Sequence, residues 1–327
     1  MKEKLLNALP FFKIKKIAVI GDIMLDKYIW GDVSRISPEA PVQVVNVQRE
    51  TYAPGGAANV AANIAALSGQ AYMIGIVGDD RASEKLIEEL ETRGINVEGV
   101  VSDSGRPTTQ KVRIIGKNQQ LLRVDYEKRG DTEADVENEM IDFISEVIKD
   151  IDVIVVSDYA KGAVTERVMQ KLMELSAHPQ KKVVIDPKPS HKSLYKNATV
   201  ISPNHLEAFQ MAGIDAEESS RVDEVGLKLL RELDSSILIT RGEKGMSLYE
   251  KSGKITTVPT YAQEVYDIIG AGDAVVATLA LGLATGLSMK EAAILANHAA
   301  GIVVRKLGTS TASMEELEQS IQNSKHI

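Results

Sequence analysis

The chain contains no cysteine. Disulfides, thiolate metal sites and cysteine nucleophiles are therefore excluded, and the absence suits a reducing compartment. Aromatic residues are scarce, 4% of 327, so the core must be built mainly from Val, Ile, Leu and Ala. No apolar run is long enough to span a bilayer. The first ten residues, with Glu3 and no long apolar centre, do not read as a signal peptide. Positive charge is not in excess either: 38 Lys and Arg stand against 46 Asp and Glu, a net charge of −8. Without a basic block, broad nucleic-acid binding is not expected. These absences point to a cytoplasmic chain that engages neither membrane nor nucleic acid, with room for a local basic pocket. Two nucleotide signatures are missing as well. No Gly-x-x-x-x-Gly-Lys-[Ser/Thr] run occurs, which excludes a P-loop. No Gly-x-Gly-x-x-Gly follows the first apolar run, which ends in Gly21-Asp22 and weakens a dinucleotide-binding reading.

What is present has the rhythm of an α/β protein. Apolar residues make up 44% and charged residues 26%, ordinary values for a globular chain. Short β-branched runs at 17–20, 153–156, 183–185 and 237–239 suit strands buried on both faces of a parallel sheet. Helical patterns lie between them at 56–67, 83–93, 134–149, 165–177 and 221–233. This βαβα order predicts a helix-covered, mostly parallel sheet. Two stretches break it. Residues 42–50 and 110–126 alternate apolar and polar side chains, the second with a turn signal at Gly116-Lys117-Asn118. They are expected to pair as a small separate sheet; the alternative is two edge strands of the main sheet.

Ligands of open α/β sheets bind beyond the carboxyl ends of the strands. Polar groups follow nearly every apolar run: Asp22 and Asp26, Ser157-Asp158-Tyr159, Asp186-Pro187-Lys188, Asn204, and Thr240-Arg241-Gly242. The sharpest feature is Gly270-Ala271-Gly272-Asp273, which leads into the small, apolar segment 274–284. A helix apolar all round should be buried. Its first turn offers unpaired N–H groups and a partial positive charge, and glycines let a ligand come close. That combination makes an anion site suited to a phosphoryl group. Asp273 in that turn stays ionised and can accept a proton from an attacking hydroxyl. Taken alone, the run equally fits a glycine-rich loop with an N-cap aspartate.

Two motifs together are specific. Pro54-Gly55-Gly56-Ala57-Ala58-Asn59-Val60-Ala61 near the N-terminus and Asp267-Ile268-Ile269-Gly270-Ala271-Gly272-Asp273 near the C-terminus resemble the ribokinase-like, or PfkB, carbohydrate kinases. The resemblance runs from about residue 17 to 313. The stretches Gly21-Asp22-Ile23-Met24-Leu25-Asp26, Ser34-Arg35-Ile36-Ser37-Pro38-Glu39-Ala40-Pro41 and Ser157-Asp158-Tyr159-Ala160-Lys161-Gly162 are similar to the heptose 7-phosphate kinase branch. So is Asn118-Gln119-Gln120-Leu121-Leu122-Arg123. The resemblance implies a ribokinase-like three-layer α/β/α fold over 1–327, with a small β lid formed by about 30–50 and 107–126. It implies ATP-dependent phosphorylation of the anomeric hydroxyl of D-glycero-D-manno-heptose 7-phosphate, for ADP-heptose synthesis. No His-x-x-His pair of the nucleotidyltransferase found in some members occurs, so the stand-alone kinase form is expected. A kinase for another sugar, sugar phosphate or nucleoside, and a non-catalytic sensor, are the alternatives.

Site roles follow from the same resemblance. Asp273 is the expected base, with the N–H groups of Gly270, Ala271 and Gly272 holding the transferring phosphoryl group. Asp22, Asp26, Gly55, Gly56 and Asn59 are expected at the sugar, and Asp186 beside it. Arg123, Lys161 and Lys188 are candidates for a second phosphate on the sugar, through a bidentate fork or point charges. Asn204 and Glu207 match an Asn-x-x-Glu element that positions Mg²⁺ and the ATP phosphates largely through water, with Glu207 nearest the metal. Thr240, Gly242 and Gly245 match the segment lining the nucleotide phosphates and ribose. Asn297 and Ala300 match adenine-pocket positions. Ile269 stands where the family usually has Thr or Ser and helps form a monovalent-cation site, so the resemblance leaves K⁺ open. A homodimer formed through the lid is also implied.

Overall fold

The apolar runs near residues 17, 154, 184 and 238 form strands, as their β-branched composition dictates. The computed structural model describes residues 1–117, 119–177, 181–216, 219–261 and 265–324. In chain order its strands are β1 (Lys16–Gly21), β2 (Ile23–Ile36), β3 (Gln43–Gly56), β4 (Gln70–Val77), β5 (Asn96–Ser102), β6 (Gln110–Gly116) and β7 (Gln119–Tyr126). They continue with β8 (Val153–Ser157), β9 (Lys182–Asp186), β10 (Val200–Ile201), β11 (Ser236–Thr240), β12 (Met246–Tyr249) and β13 (Ile255–Val258). The helices are α1 (Lys2–Ala8), α2 (Ala57–Ala66), α3 (Arg81–Glu91), α4 (Ala134–Val147) and α5 (Glu166–Ala177). After them come α6 (His205–Ala212), α7 (Val222–Leu233), α8 (Ala271–Ala284), α9 (Met289–Val303) and α10 (Met314–Asn323). None of the described helices is long and apolar enough to cross a membrane.

The main sheet runs β13-β12-β11-β10-β9-β8-β1-β4-β5. Pairings from β5 through β11 are parallel, and β12 and β13 add an antiparallel edge. Side-chain alternation divides the core. Ile17 and Val19 join one cluster with α2, α8 and α9. Ala18 and Ile20 join the other with α4 to α7. This is the expected three-layer α/β/α arrangement, and it brings the carboxyl ends of β1, β8, β9 and β11 to one rim.

A second sheet, β3-β2-β6-β7, stands beside the first. It contains both alternating segments, but they do not pair with each other. β3 and β6 lie on opposite sides of β2, which pairs antiparallel with β3 and parallel with β6. β7 pairs antiparallel with β6. The expected turn is where β6 and β7 meet, although Asn118 lies outside the described residues.

Candidate active site

Gly270 adopts φ 80° and caps α8. The left-handed turn is natural for glycine, and a Cβ there would meet Nδ2 of Asn59 at 2.9 Å. At Gly272 a Cβ would meet nothing within 4 Å, so the backbone of the first turn stays open. Asp273, one residue on, is buried. Its Oδ2 accepts from Nδ2 of Asn59 at 2.6 Å and its Oδ1 from the hydroxyl of Tyr159 at 3.0 Å. Burial raises the Asp273 pKa above the ordinary aspartate value, with Asp26 adding to the rise. The two donors and the charge of Lys111 act the other way. Burial and the Asp273 charge push the Tyr159 hydroxyl well above its usual range, so it remains a proton donor in this pair.

Three approaches converge on that carboxylate. The Gly55-Gly56 junction between β3 and α2 is the first. Gly56 has φ 56°, and a Cβ on it would strike the Asp22 carbonyl; a Cβ on Gly55 would meet Oδ2 of Asp26 at 3.0 Å. This tight junction starts α2, whose first turn aims Asn59 at Asp273. The second is the loop after β8, which carries Tyr159. Asp22 was expected at the sugar, but its carboxylate accepts from the backbone N–H groups of Tyr159, Lys161 and Ala163 at 2.7, 3.1 and 3.0 Å. It is buried and holds the loop in place. The third is the second sheet. Asp26 on β2 accepts from Nη1 of Arg113 at 2.7 Å and from Oγ1 of Thr309 at 2.7 Å. Lys111 on β6 lies opposite Asp26 in register, its Nζ 5.3 Å from the centre of the Tyr159 ring.

On the far side of Asp273 a cleft of about 200 Å³ is lined by Asp158, Asp186, Lys188, Asn204, Glu207, Thr240, Gly270 and Gly272, among others. Asn204 caps α6 through a reciprocal box: its Oδ1 accepts from the Glu207 N–H at 3.0 Å, and Oε2 of Glu207 accepts from the Asn204 N–H at 2.9 Å. Burial raises the Glu207 pKa, opposed by that N–H and by Lys188. Asp186 is also raised by burial, then by Asp273 and Glu207. Several carboxylates thus crowd a space containing one lysine, which favours a cation. Among the described residues no three His, Asp or Glu side chains form a direct chelate. The donor set therefore fits an ion that keeps water and phosphate oxygens as ligands, as Mg²⁺ does.

The remaining expected residues divide. Lys188 and Asp186 line the cleft beside Glu207, away from the second sheet. Lys161 pairs with Glu127, and Arg123 forks onto Asp125 at 2.9 and 3.0 Å; neither presents a free charge. Gly242 and Gly245 have φ 57° and 75° around the turn between β11 and β12. Nδ2 of Asn297 donates to the Pro259 carbonyl, and neither Asn297 nor Ala300 lines the cleft. Sequence reasoning listed Tyr159 among the polar strand ends without giving it a role, and missed Lys111, Arg113 and Thr309. Of these three, Lys111 and Arg113 left a signal, as same-face charges in an alternating segment.

The pattern of the pfkB family of carbohydrate kinases matches residues 14–317. The bifunctional protein HldE of Wolinella succinogenes is 42% identical over 310 residues, covering 94% of this chain and 65% of that protein. The bifunctional protein HldE of Helicobacter pylori strain J99 is 42% identical over 306 residues, covering 93% and 66%. The chain thus spans about two thirds of the length of these relatives. Among solved structures, Arabidopsis thaliana ribokinase complexed with ribose and ATP superposes with TM-score 0.75 at 19% identity, covering 95% of this chain and 99% of that one. Phosphofructokinase-2 from Escherichia coli in complex with potassium gives 0.77 at 18% identity, covering 94% and 98%. With a family pattern matched over nearly its whole length, a ribokinase-like fold and a buried aspartate at the start of α8, this chain belongs to the pfkB family of carbohydrate kinases.

Proposed function

We propose that this kinase transfers the γ-phosphoryl group of ATP to the anomeric hydroxyl of D-glycero-D-manno-heptose 7-phosphate, giving the 1,7-bisphosphate used for ADP-heptose synthesis. The carrying observation is Asp273, held by Asn59 and Tyr159 at the open first turn of α8. Asp273 takes the proton from the sugar hydroxyl, whose oxygen then bonds to the γ-phosphorus while the bond to ADP breaks. The N–H groups of Gly270, Ala271 and Gly272 stabilise the transferring group by charge, not by covalent chemistry. Asp26, Gly55 and Asn59 border the acceptor, while Asp186, Lys188, Asn204, Glu207 and Thr240 border the donor phosphates. Mg²⁺ would sit by Glu207, mostly through water, and neutralise phosphate charge. Gly242, Gly245, Asn297 and Ala300 belong to the nucleoside end. The choice of a heptose phosphate is supported by the motifs shared with heptose kinases and by the HldE relatives.

The second sheet acts in this reading as a lid that keeps water from the phosphoryl group, and two copies meet through it. ATP as donor sets the reaction in the cytoplasm. Potassium activation belongs to this reading through the family resemblance: the cation site of such kinases is formed partly by the main-chain carbonyl at the position of Ile269, which does not depend on side-chain identity. Replacing K⁺ by Na⁺ during turnover tests that point. The main test is purified protein with Mg-ATP and a panel of sugars and sugar phosphates, reading ADP release and product phosphorus spectra. Preferred use of heptose 7-phosphate with a new C1 phosphate is expected. Preference for another acceptor would replace the substrate assignment. Ligand binding without turnover on any acceptor would make the chain a sensor.

A further inference from the structure

A phosphomonoester on the acceptor brings about two negative charges at neutral pH. Most basic groups near Asp273 are already matched. Arg113 pairs with Asp26, Arg123 with Asp125 and Lys161 with Glu127. Lys188 lines the cleft with Glu207 and Thr240, a cleft whose lining includes no residue of the second sheet. Lys111 differs from all of them. It is half-buried, yet its ammonium has no hydrogen bond and no ion pair with any described residue. It rests over the face of Tyr159, whose hydroxyl donates to Asp273. The carboxylates whose charge reaches it, Asp26, Asp125 and Asp273, are engaged elsewhere: Asp26 by Arg113 and Thr309, Asp125 by Arg123, and Asp273 by Asn59 and Tyr159. Taking an ammonium out of water without a counter-ion is costly, and a ring face offsets only part of that cost. Burial accordingly lowers the Lys111 pKa. Such a group gains most from a ligand that arrives with its own negative charge.

We propose that Lys111 is the specificity-determining cation for a phosphate already carried by the acceptor sugar. Its position selects acceptors with a phosphomonoester at one end and a hydroxyl at the other. Arg113, two residues on, and Arg123, directly opposite it in the β6–β7 register, lie on the same face with their charges matched by Asp26 and Asp125, which leaves Lys111 as the cation for the ligand. This assignment rests on the reading of the chain as a sugar-phosphate kinase.

The test is Lys111→Met, which keeps the stem and removes the charge, with Lys111→Gln as a second variant and Lys111→Arg as the conservative one. KM and kcat would be measured for heptose 7-phosphate, for the same heptose without phosphate, and for Mg-ATP. A hydrogen bond to a charged group is worth about 1.5–3 kcal/mol, so the KM for the phosphorylated acceptor should rise roughly tenfold or more. The KM for ATP should stay within about twofold of wild type, a change under 0.5 kcal/mol. The preference for the phosphorylated over the plain heptose should shrink, and Lys111→Arg should restore part of it. Inorganic phosphate should compete with the sugar phosphate in wild type and lose that effect in Lys111→Met. Melting temperatures no lower than wild type would separate this role from a structural one, because an unpaired cation is removed. Unchanged acceptor KM, or an equal fall in kcat on both acceptors, would overturn the assignment. If wild type itself turns over no phosphorylated sugar, the sugar-phosphate reading fails first and Lys111 loses its role with it.

Discussion

At the scale of single residues, the chemistry depends on keeping a buried carboxylate charged. Asp273 has its pKa raised chiefly by burial. A carboxyl whose folded pKa exceeds its unfolded value stabilises the fold below the unfolded value, about 3.9 for Asp. That contribution is lost as pH rises through the folded pKa, so ionised Asp273 weakens the fold at neutral pH. Asp273→Asn is expected to melt about 1–2 °C higher than wild type at pH 7, with the gap closing toward pH 4. The same variant should lose a factor of about 10² to 10⁴ in kcat, the usual size of general-base catalysis, while still binding ATP. Retained turnover would remove Asp273 from the base role. Tyr159→Phe deletes a donor that lowers the Asp273 pKa, so the acidic limb of kcat/KM should move to higher pH and kcat fall roughly tenfold. An unshifted limb would mean that Tyr159 only fills space. Asp273 was legible in the sequence because glycines before an apolar helix are a local pattern. Tyr159 was not, because its aim depends on Asp22 fixing the loop from 137 positions away.

At the scale of elements, the start of α8 separates glycines needed for folding from glycines needed for ligand. Gly270 has φ 80° and presses on Asn59. Gly270→Ala is expected to cost about 1 kcal/mol or more in stability and to displace Asn59 from Asp273, so melting temperature and kcat fall together. Gly272 lies inside the helix with open space where a Cβ would go. Alanine there improves helix propensity by up to about 1 kcal/mol, so Gly272→Ala should melt at or above wild type. Activity should nonetheless fall, since the added methyl occupies the approach to the first-turn N–H groups. A Gly272→Ala enzyme with unchanged kcat/KM for ATP would show that the phosphoryl group does not bind there. The helices and buried strands could be read from periodicity because each element repeats its own pattern. β2 escaped because register shifts at Trp30/Gly31 and Val33/Arg35 break its alternation, as bulges do. With that strand hidden, its two flanking segments looked like partners of each other.

At the scale of the whole molecule, the second sheet is inverted relative to an ordinary surface sheet. Its face toward the main domain carries Asp26, Lys111 and Arg113, while the other face pairs Val112 with Val124 and Ile114 with Leu122. Leu122 is 54% exposed and Tyr126, on the same face, 50%. Val112 on β6 is itself buried, but the β7 strip of Leu122, Val124 and Tyr126 is left to water, and an exposed apolar strip of this kind marks a surface suited to being covered. A second copy of the same sheet would supply a matching face through two-fold symmetry. The protein is therefore expected to sediment at about twice its 35.5 kDa mass. The double substitution Leu122→Asp, Val124→Asp should give a monomer, since it sets four carboxylates facing one another across the contact. Its main sheet, whose cores do not include β7, should keep its melting transition. Activity should fall, because β6 would lose the support that presents Lys111 over Tyr159, and the loss should appear in the KM for the acceptor more than in that for ATP. A wild-type protein that sediments as a monomer at assay concentration would sink this arrangement. So would a double variant that remains dimeric.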